Sequence, residues 1–475
     1  MLIRNSVHYG LAIGLPGLMN FAGLMLFTHL LTAAEFGHYA LALAGLNLAH
    51  VVGFQWLQMV VARFLPTTSG DPQRVIRNVF AIFLALGLVV MIVGVSAALF
   101  WQDSSWQLLI ALAVPLALVQ AWMQLNLTLA STQLAPSRYG QLLGAKSLVA
   151  VSLGGYLAWS GWGASAPLLG LLGGGVLASL MFGRTPWIGI HPRCPTRPEL
   201  TEYVSYGLPL TITFVLGWVI SASDRVLLAW LDSETATGVY AAGYDLAQQS
   251  LGLLLSIVNT AAYPLLMRKM ALEGEYAASH QIQRNGELIF TVALCGAAGL
   301  IALAPALTAS VLGPAFQTDA RQVLPWIAVA AAVSGIKAFH FDVAFQLAKQ
   351  SKWQVYTGVI AAVVNIVACI VLIPLYGMVG AAWAALIAHT AAAICSYRLG
   401  KRVFAMPPVM KQLGRATAVA GFTYLGARWA TLCDLPPISQ LLVGIATGAL
   451  TGLIASVLMN IAGLRQLFWA ETRTN

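Results

Sequence analysis

Charge is scarce in this sequence. Only 9% of its 475 residues are Asp, Glu, Lys or Arg, against about 25% in a soluble domain. With 59% hydrophobic residues and a mean hydropathy of +0.79, the deficit excludes a water-soluble enzyme. Cysteine is sparse as well. Cys194, Cys295, Cys369, Cys395 and Cys433 stand apart, odd in number and without a CxxC spacing, so neither a disulfide framework nor a thiolate metal site is indicated. No metal or other cofactor is expected. No GxxxxGK[ST] occurs, which argues against direct use of ATP. No polybasic run occurs either. The net charge of +9 is spread along the chain, so nucleic acid is not an expected partner. Nor does a small-residue cleavage site follow Arg4 and its long apolar run, and that segment is expected to be retained as a first helix.

What the sequence has instead is hydrophobic length. Fourteen apolar stretches approach the ~20 residues that a membrane span needs. They fall near 7–31, 39–62, 79–101, 107–129, 139–159, 165–182, 206–230, 240–265, 287–308, 322–347, 354–375, 378–397, 416–433 and 439–462. The expected fold is an all-α polytopic membrane protein. The links between stretches alternate in charge. With the N-terminus inside, all but four of the 25 Lys and Arg residues fall in or beside the internal links; Arg321 and Arg428 lie outside, and Arg225 and Lys337 lie within or near spans. This asymmetry supports an even number of spans with both termini cytoplasmic. External links are short, the longest running from about Gly313 to Arg321. Ala271 to Arg284, on the internal side, fits either an amphipathic surface helix or a solvated loop.

A faint repeat runs through the chain. Gly14, Leu15 and Pro16 open the first stretch, and Gly207, Leu208 and Pro209 open the seventh. Glu35 to Tyr39 leads into the second stretch, and Thr237 to Tyr240 leads into the eighth. Each copy would hold six spans. Six is even, so both enter the membrane in the same sense and are relatable by an axis along its normal. The last two spans are then an appendix. The expected division is 1–190 for a first lobe, 191–205 for a cytoplasmic linker, 206–400 for a second lobe, and 401–475 for the final spans and tail.

Polar residues inside the spans are the functional signal. A charged side chain at mid-membrane costs roughly 2.5–3.5 kcal/mol on insertion scales, so its helix must turn it away from lipid. Asp245, Gln249, Gly252, Ser256, Asn259 and Tyr263 recur at steps of four and three, which places them on one helix face. Pro209, Thr213, Gly217, Ser221 and Asp224 do the same on the preceding span. Such stripes fit the wall of a wet cavity; the small residues alone would fit close helix packing equally well.

Three further stretches carry a family resemblance. Leu31 to Ala42 contains Glu35, Phe36, Gly37, His38 and Tyr39. Ser223, Asp224 and Arg225 precede Thr237, Gly238, Val239, Tyr240 and Tyr244. Ile373, Pro374, Tyr376, Gly377 and Gly380 lie between the eleventh and twelfth stretches. In order and spacing these resemble the polysaccharide-transport branch, the Wzx-type oligosaccharide flippases, of the multidrug/oligosaccharidyl-lipid/polysaccharide exporter superfamily. The resemblance implies two six-helix lobes in pseudo-two-fold arrangement around a central cavity, with alternating access. It implies as cargo an undecaprenyl-diphosphate-linked oligosaccharide repeat unit, crossing the bacterial cytoplasmic membrane for O-antigen, capsule or exopolysaccharide synthesis. A polymerase and chain-length proteins of the same pathway are expected partners beside the membrane lipids.

Such a cargo needs cations for its diphosphate and neutral partners for its sugars. Arg225 and Lys337 are the candidate cations, because guanidinium binds phosphate as a fork and ammonium as a point charge. His340 lies three residues after Lys337, on a neighbouring face. Asn20, Asn47, His50, Gln120, Gln124, Tyr244 and Gln249 are candidate sugar partners. Asp224, Asp245 and Asp342 are candidates for ion coupling or structural pairing; Asp342, about 140° round an α-helix from Lys337, is assigned to a different contact. Each candidate has a plainer role open to it: Arg225 as a partner of Asp224, Asp232 or Glu234, and His340 as a packing residue. Other functions fit less well. A drug–cation antiporter needs an acidic cavity, which Arg225 and Lys337 oppose. A peptidoglycan-precursor flippase needs several arginines on the first two spans, and those carry none before Arg63. A membrane polymerase or ligase needs a sizeable external loop, and no link is large enough.

Overall fold

The computed structural model describes residues 17–67, 71–101 and 103–465; Arg4, Pro16 and Arg473 lie outside them. The described residues form helices joined by short turns, with no strand among them. Nine of these helices are long and apolar enough to cross a membrane, ten if one bent pair is counted as a span. By its internal contacts the chain separates into two compact units, Met1–Val226 and Leu227–Asn475.

The first unit begins with α1 (Gly17–Leu30). Thr32 caps α2 (Ala33–Gly53): its hydroxyl accepts from the Glu35 N–H, and the Glu35 carboxylate accepts from the Thr32 N–H at 2.8 Å. This reciprocal box satisfies two donors that a helix start leaves open. At Phe54 the chain bends by 42° into α3 (Gln55–Thr67). Prolines open α4 (Pro72–Phe100) and α6 (Pro136–Trp159), where their missing N–H is not needed. Between them α5 (Ser104–Thr132) is the unit's axis and packs against α2, α3, α4 and α7 (Ser165–Ala178). Phe54, Leu57, Val60 and Val61 close on Val75 and Val79 of α4 and on Ala121, Leu125 and Leu129 of α5. The outer side of α4 stays bare. Only 11% of its apolar window is buried, so Leu88, Ile92 and Leu99 are left for lipid.

Glycine brings α6 and α7 together. A Cβ at Gly170 would strike the Ala150 carbonyl, and one at Gly174 the Lys146 carbonyl; only side chains that stop at hydrogen permit this approach. A π turn, Ser179–Gly183, ends α7. Arg138 clamps it, donating from Nε to the Phe182 carbonyl at 2.9 Å and from Nη2 to the Asn126 Oδ1 at 3.3 Å. Trp187 donates to the same Asn126 oxygen at 2.9 Å, its ring 4.4 Å from that of Trp122. The linker is thus pinned before α8 (Arg197–Leu231) begins. Glu199 caps that start through Thr196 and pairs with Arg74 at 2.5 Å.

In the second unit α9 (Glu234–Val311) starts at its Ser233 cap and breaks at Gly274, whose φ is +83°. Residues 275–284 therefore form the first turns of a new helix: Ala278 and Ile282 are buried and Tyr276 is exposed, the amphipathic alternative of the two expected. Then α10 (Pro314–Ile336) starts on the residue after Gly313, so the expected external link up to Arg321 is mostly helix. A π turn, Lys337–Phe341, and the short α11 (Val343–Leu347) follow. The 52 residues of α12 (Lys352–Val403) fold back at Gly377, φ +55°. No Cβ fits there easily: it would sit 2.9 Å from the Asp232 Oδ2. Finally α13 (Met410–Ala430) and α14 (Pro437–Leu458) pack through glycines, with the Thr447 hydroxyl donating to the Gly426 carbonyl at 2.8 Å. The core of this unit lies where Leu251, Leu255, Ile289, Phe290, Ala328, Ala332 and Phe341 meet.

Candidate functional site

In the first unit the polar side chains gather on α2, α3 and α5. Gln120 donates to the Asn47 Oδ1 at 3.2 Å. The bend at Phe54 brings His50 and Gln58 together, 3.2 Å apart and both buried. The indole of Trp218 on α8 donates to the Ala44 carbonyl at 2.9 Å, one helical turn from Asn47. Gln124 is half-buried on the same helix as Gln120, and Asn20 is exposed on α1. Asp224 is 1% exposed and accepts from the Arg225 backbone N–H at 2.9 Å. Arg225 is half-buried.

A cation not among the expected site residues also lies here. Lys146, on α6, is half-buried, and among the described residues no carboxylate pairs with it. Its position inside the stretch 139–159 was the available signal. Assigning basic residues to cytoplasmic links hides it.

In the second unit Lys337 and Asp342 form an ion pair, Nζ to Oδ2 at 2.7 Å, with side-chain exposures of 13% and 3%. This corrects the expectation that Asp342 belongs to a different contact. Five residues span 140° too far on an α-helix, but here the Asp342 N–H bonds to the Lys337 carbonyl at 2.9 Å. That i to i+5 closure is a π turn, and it brings the two side chains to one side. The Ser396 hydroxyl completes the group by donating to the Asp342 Oδ1 at 2.5 Å. His340 points elsewhere: it is 2% exposed, edge-on to Phe290 at 4.9 Å. Tyr244 lies 6.1 Å from Tyr240, and Gln249 and Asp245 are half-buried on α9.

The two stripes are open at their glycines. A Cβ added at Gly217 or Gly252 would meet nothing within 4 Å, unlike one at Gly170 or Gly174. Close helix contact is therefore not why these residues are small. Two stripe hydroxyls are nevertheless occupied by their own helix: Ser221 donates to the Trp218 carbonyl and Ser256 to that of Leu253.

The family model described as "Polysaccharide biosynthesis protein" matches residues 26–321. No curated protein is similar to the chain by sequence. Among solved structures, the lipid II flippase MurJ in an inward closed conformation is similar with a TM-score of 0.78 at 13% identity, covering 97% of this chain and all of that one. An inward-facing multidrug resistance MATE family transporter of the MOP superfamily is similar with a TM-score of 0.65 at 14% identity, over 83% of this chain and 97% of the other. A MOP superfamily transporter from Pyrococcus furiosus gives 0.61 at 14% identity, over 84% of this chain and 94% of that one. At these identities the likeness is one of fold.

Proposed function

Because the chain belongs to the polysaccharide biosynthesis protein family and has the fold of the MOP-superfamily transporters, we propose that it carries undecaprenyl-diphosphate-linked oligosaccharide repeat units across the bacterial cytoplasmic membrane. Taking the bent α2–α3 pair as one span, each side of Gly274 and of Gly377 as a span, and adding α1 and α13 gives fourteen. Spans one to six and seven to twelve are then two lobes that rock in alternating access, with two further spans at the C-terminal end and both termini cytoplasmic.

The observation that supports a polar cargo is the open character of the stripes on α8 and α9, with Asp224, Arg225, Asp245 and Gln249 along them. In this scheme Arg225 is the main cation for the diphosphate, joined by Lys146. Lys337 contributes charge only when its pair with Asp342 opens. Asn20, Asn47, His50, Gln120, Gln124, Tyr244 and Gln249 serve the sugars. Asp245, in the stripe of α9, is the candidate for ion coupling, and Asp342 is held by both Lys337 and Ser396. The membrane potential assists export: two negative charges leaving a negative interior gain about 4.6 kcal/mol per 100 mV. Polymerase and chain-length proteins would take over the cargo on the far side.

Reconstitution tests this. Proteoliposomes loaded with a fluorescent undecaprenyl-diphosphate oligosaccharide should move it between leaflets, faster when the leaflet of origin is electrically negative. Movement of lipid II, but not of other lipid-linked oligosaccharides, would assign the chain to peptidoglycan-precursor export. Export of organic cations alone would assign it to drug transport.

A further inference from the structure

We propose that the second unit contains a built site for ordered water, centred on His340 where the two arms of α9 meet the Lys337–Phe341 turn, with Gln412 of α13 beside the imidazole. The proposal is independent of the cargo. A small cavity lies between Asn259 and Tyr263 on one side of the Gly274 break, Asn285 on the other, and His340. About 10 Å³ of it is open to the centre of a water-sized sphere, the room that one water molecule requires.

The polar groups around it are buried and under-used. His340 is 2% exposed and its Nε2 has no hydrogen-bond partner among the described residues. Gln412 is 3% exposed, and neither its Nε2 nor its Oε1 has one. Both side chains converge on Gly286. A Cβ there would lie 2.5 Å from the His340 Cε1, 2.9 Å from its Nδ1 and 3.1 Å from the Gln412 Oε1, so the glycine makes the space they share. Asn285 is held beside it by donating to the Ala262 carbonyl at 3.1 Å and accepting from Gln281 at 2.8 Å. Its second N–H and second lone pair remain for a ligand. Phe290 and Phe341 hold the imidazole from its flanks, at 4.9 and 5.4 Å.

Buried donors and acceptors are nearly always paired with protein or with water, and a buried water typically takes two to four polar partners. Asn259, Tyr263, Asn285 and His340 on this wall offer that number. It offers no carboxylate, and among the described residues no three His, Cys, Asp or Glu side chains converge on a metal position. Water, neutral and able to donate and accept, fits the donor set better than a cation does. The site joins segments on both sides of a chain break through exchangeable bonds.

X-ray hydroxyl-radical footprinting of the full chain in nanodiscs tests it, because radicals formed from a bound water label the side chains touching it. With rates normalised for intrinsic reactivity, His340 should be oxidised faster than equally buried Phe345 if water sits against it, and within reach of the rate of exposed Tyr276. A His340 rate equal to that of Phe345 overturns the proposal. A second measurement uses the double variant His340→Phe, Gln412→Leu. If water satisfies the native groups, its Tm stays level or falls. If the pocket is dry, removing unsatisfied polar atoms raises Tm, which also overturns the proposal.

Discussion

Breaking the Lys337–Asp342 pair gives the sharpest energetic test of the second unit. The carboxylate is 3% exposed and the ammonium 13%, so water can replace neither partner. Removing one member of a buried pair leaves the other uncompensated, which costs about 3–5 kcal/mol. Asp342→Leu should therefore lower unfolding stability by that amount, and so should Lys337→Met. Replacing both by apolar side chains of similar volume removes the desolvation penalty together with the attraction. The double variant Lys337→Met, Asp342→Leu should lie within about 1–2 kcal/mol of wild type. Ser396→Ala removes one hydrogen bond to a charged group, worth about 1.5–3 kcal/mol. Denaturant unfolding of the purified protein in mixed micelles reads all four as a double-mutant cycle with one satellite. Additive losses, or single substitutions costing less than about 1 kcal/mol, would refute the pairing. Transport by the double variant carries separate information: near wild-type flux identifies the pair as structural and leaves Arg225 and Lys146 to meet the phosphates.

Other expectations follow from local geometry. Gly377→Ala forces a Cβ onto a positive φ and against Asp232, and should cost about 1–3 kcal/mol, seen as a lower Tm. Gly174→Val places a branched side chain on the Lys146 carbonyl; overpacking of this kind costs about 1–3 kcal/mol or more, and expression-level thermal assays should show it, whereas Gly217→Ala, facing open space, should be neutral. Thr32→Ala removes the cap of α2 and should cost about 1 kcal/mol with transport retained. Asp245→Asn should reduce flux and its ion dependence; unaltered flux with unaltered ion dependence would clear Asp245 of coupling.

Much of the fold was legible in the sequence, because membrane burial makes few demands and makes them strongly. Apolar length marked the helices. Pro72, Pro136, Pro314 and Pro437 sit at helix starts, and Gly274 and Gly377 sit where chains reverse. The misplacements have a common cause, the assumption of regular α geometry and of loops wherever polar residues cluster. A π turn carried Asp342 to Lys337, a rearrangement that a step of 100° per residue cannot foresee. Gly313 to Arg321 looked like a loop because it is polar, yet it is the capped start of α10. Lys146 looked like a loop cation because basic residues usually are. The hydroxyls of the stripes were legible as polar, but not as already bonded to their own backbone. Pairings such as Asn47 with Gln120 depend on side chains distant in sequence, which no periodicity encodes.

The central claim is that cationic and amide side chains along α5, α6 and α8 recognise a diphosphate-linked sugar during transport. Its most direct test is cargo translocation in a bacterial strain lacking this chain, complemented with wild type, Arg225→Ala, Lys146→Ala, or both. The account predicts that wild type restores delivery of the repeat unit to the outer leaflet, and that the double substitution abolishes it at normal protein abundance. Delivery at the wild-type level by the double variant would contradict it.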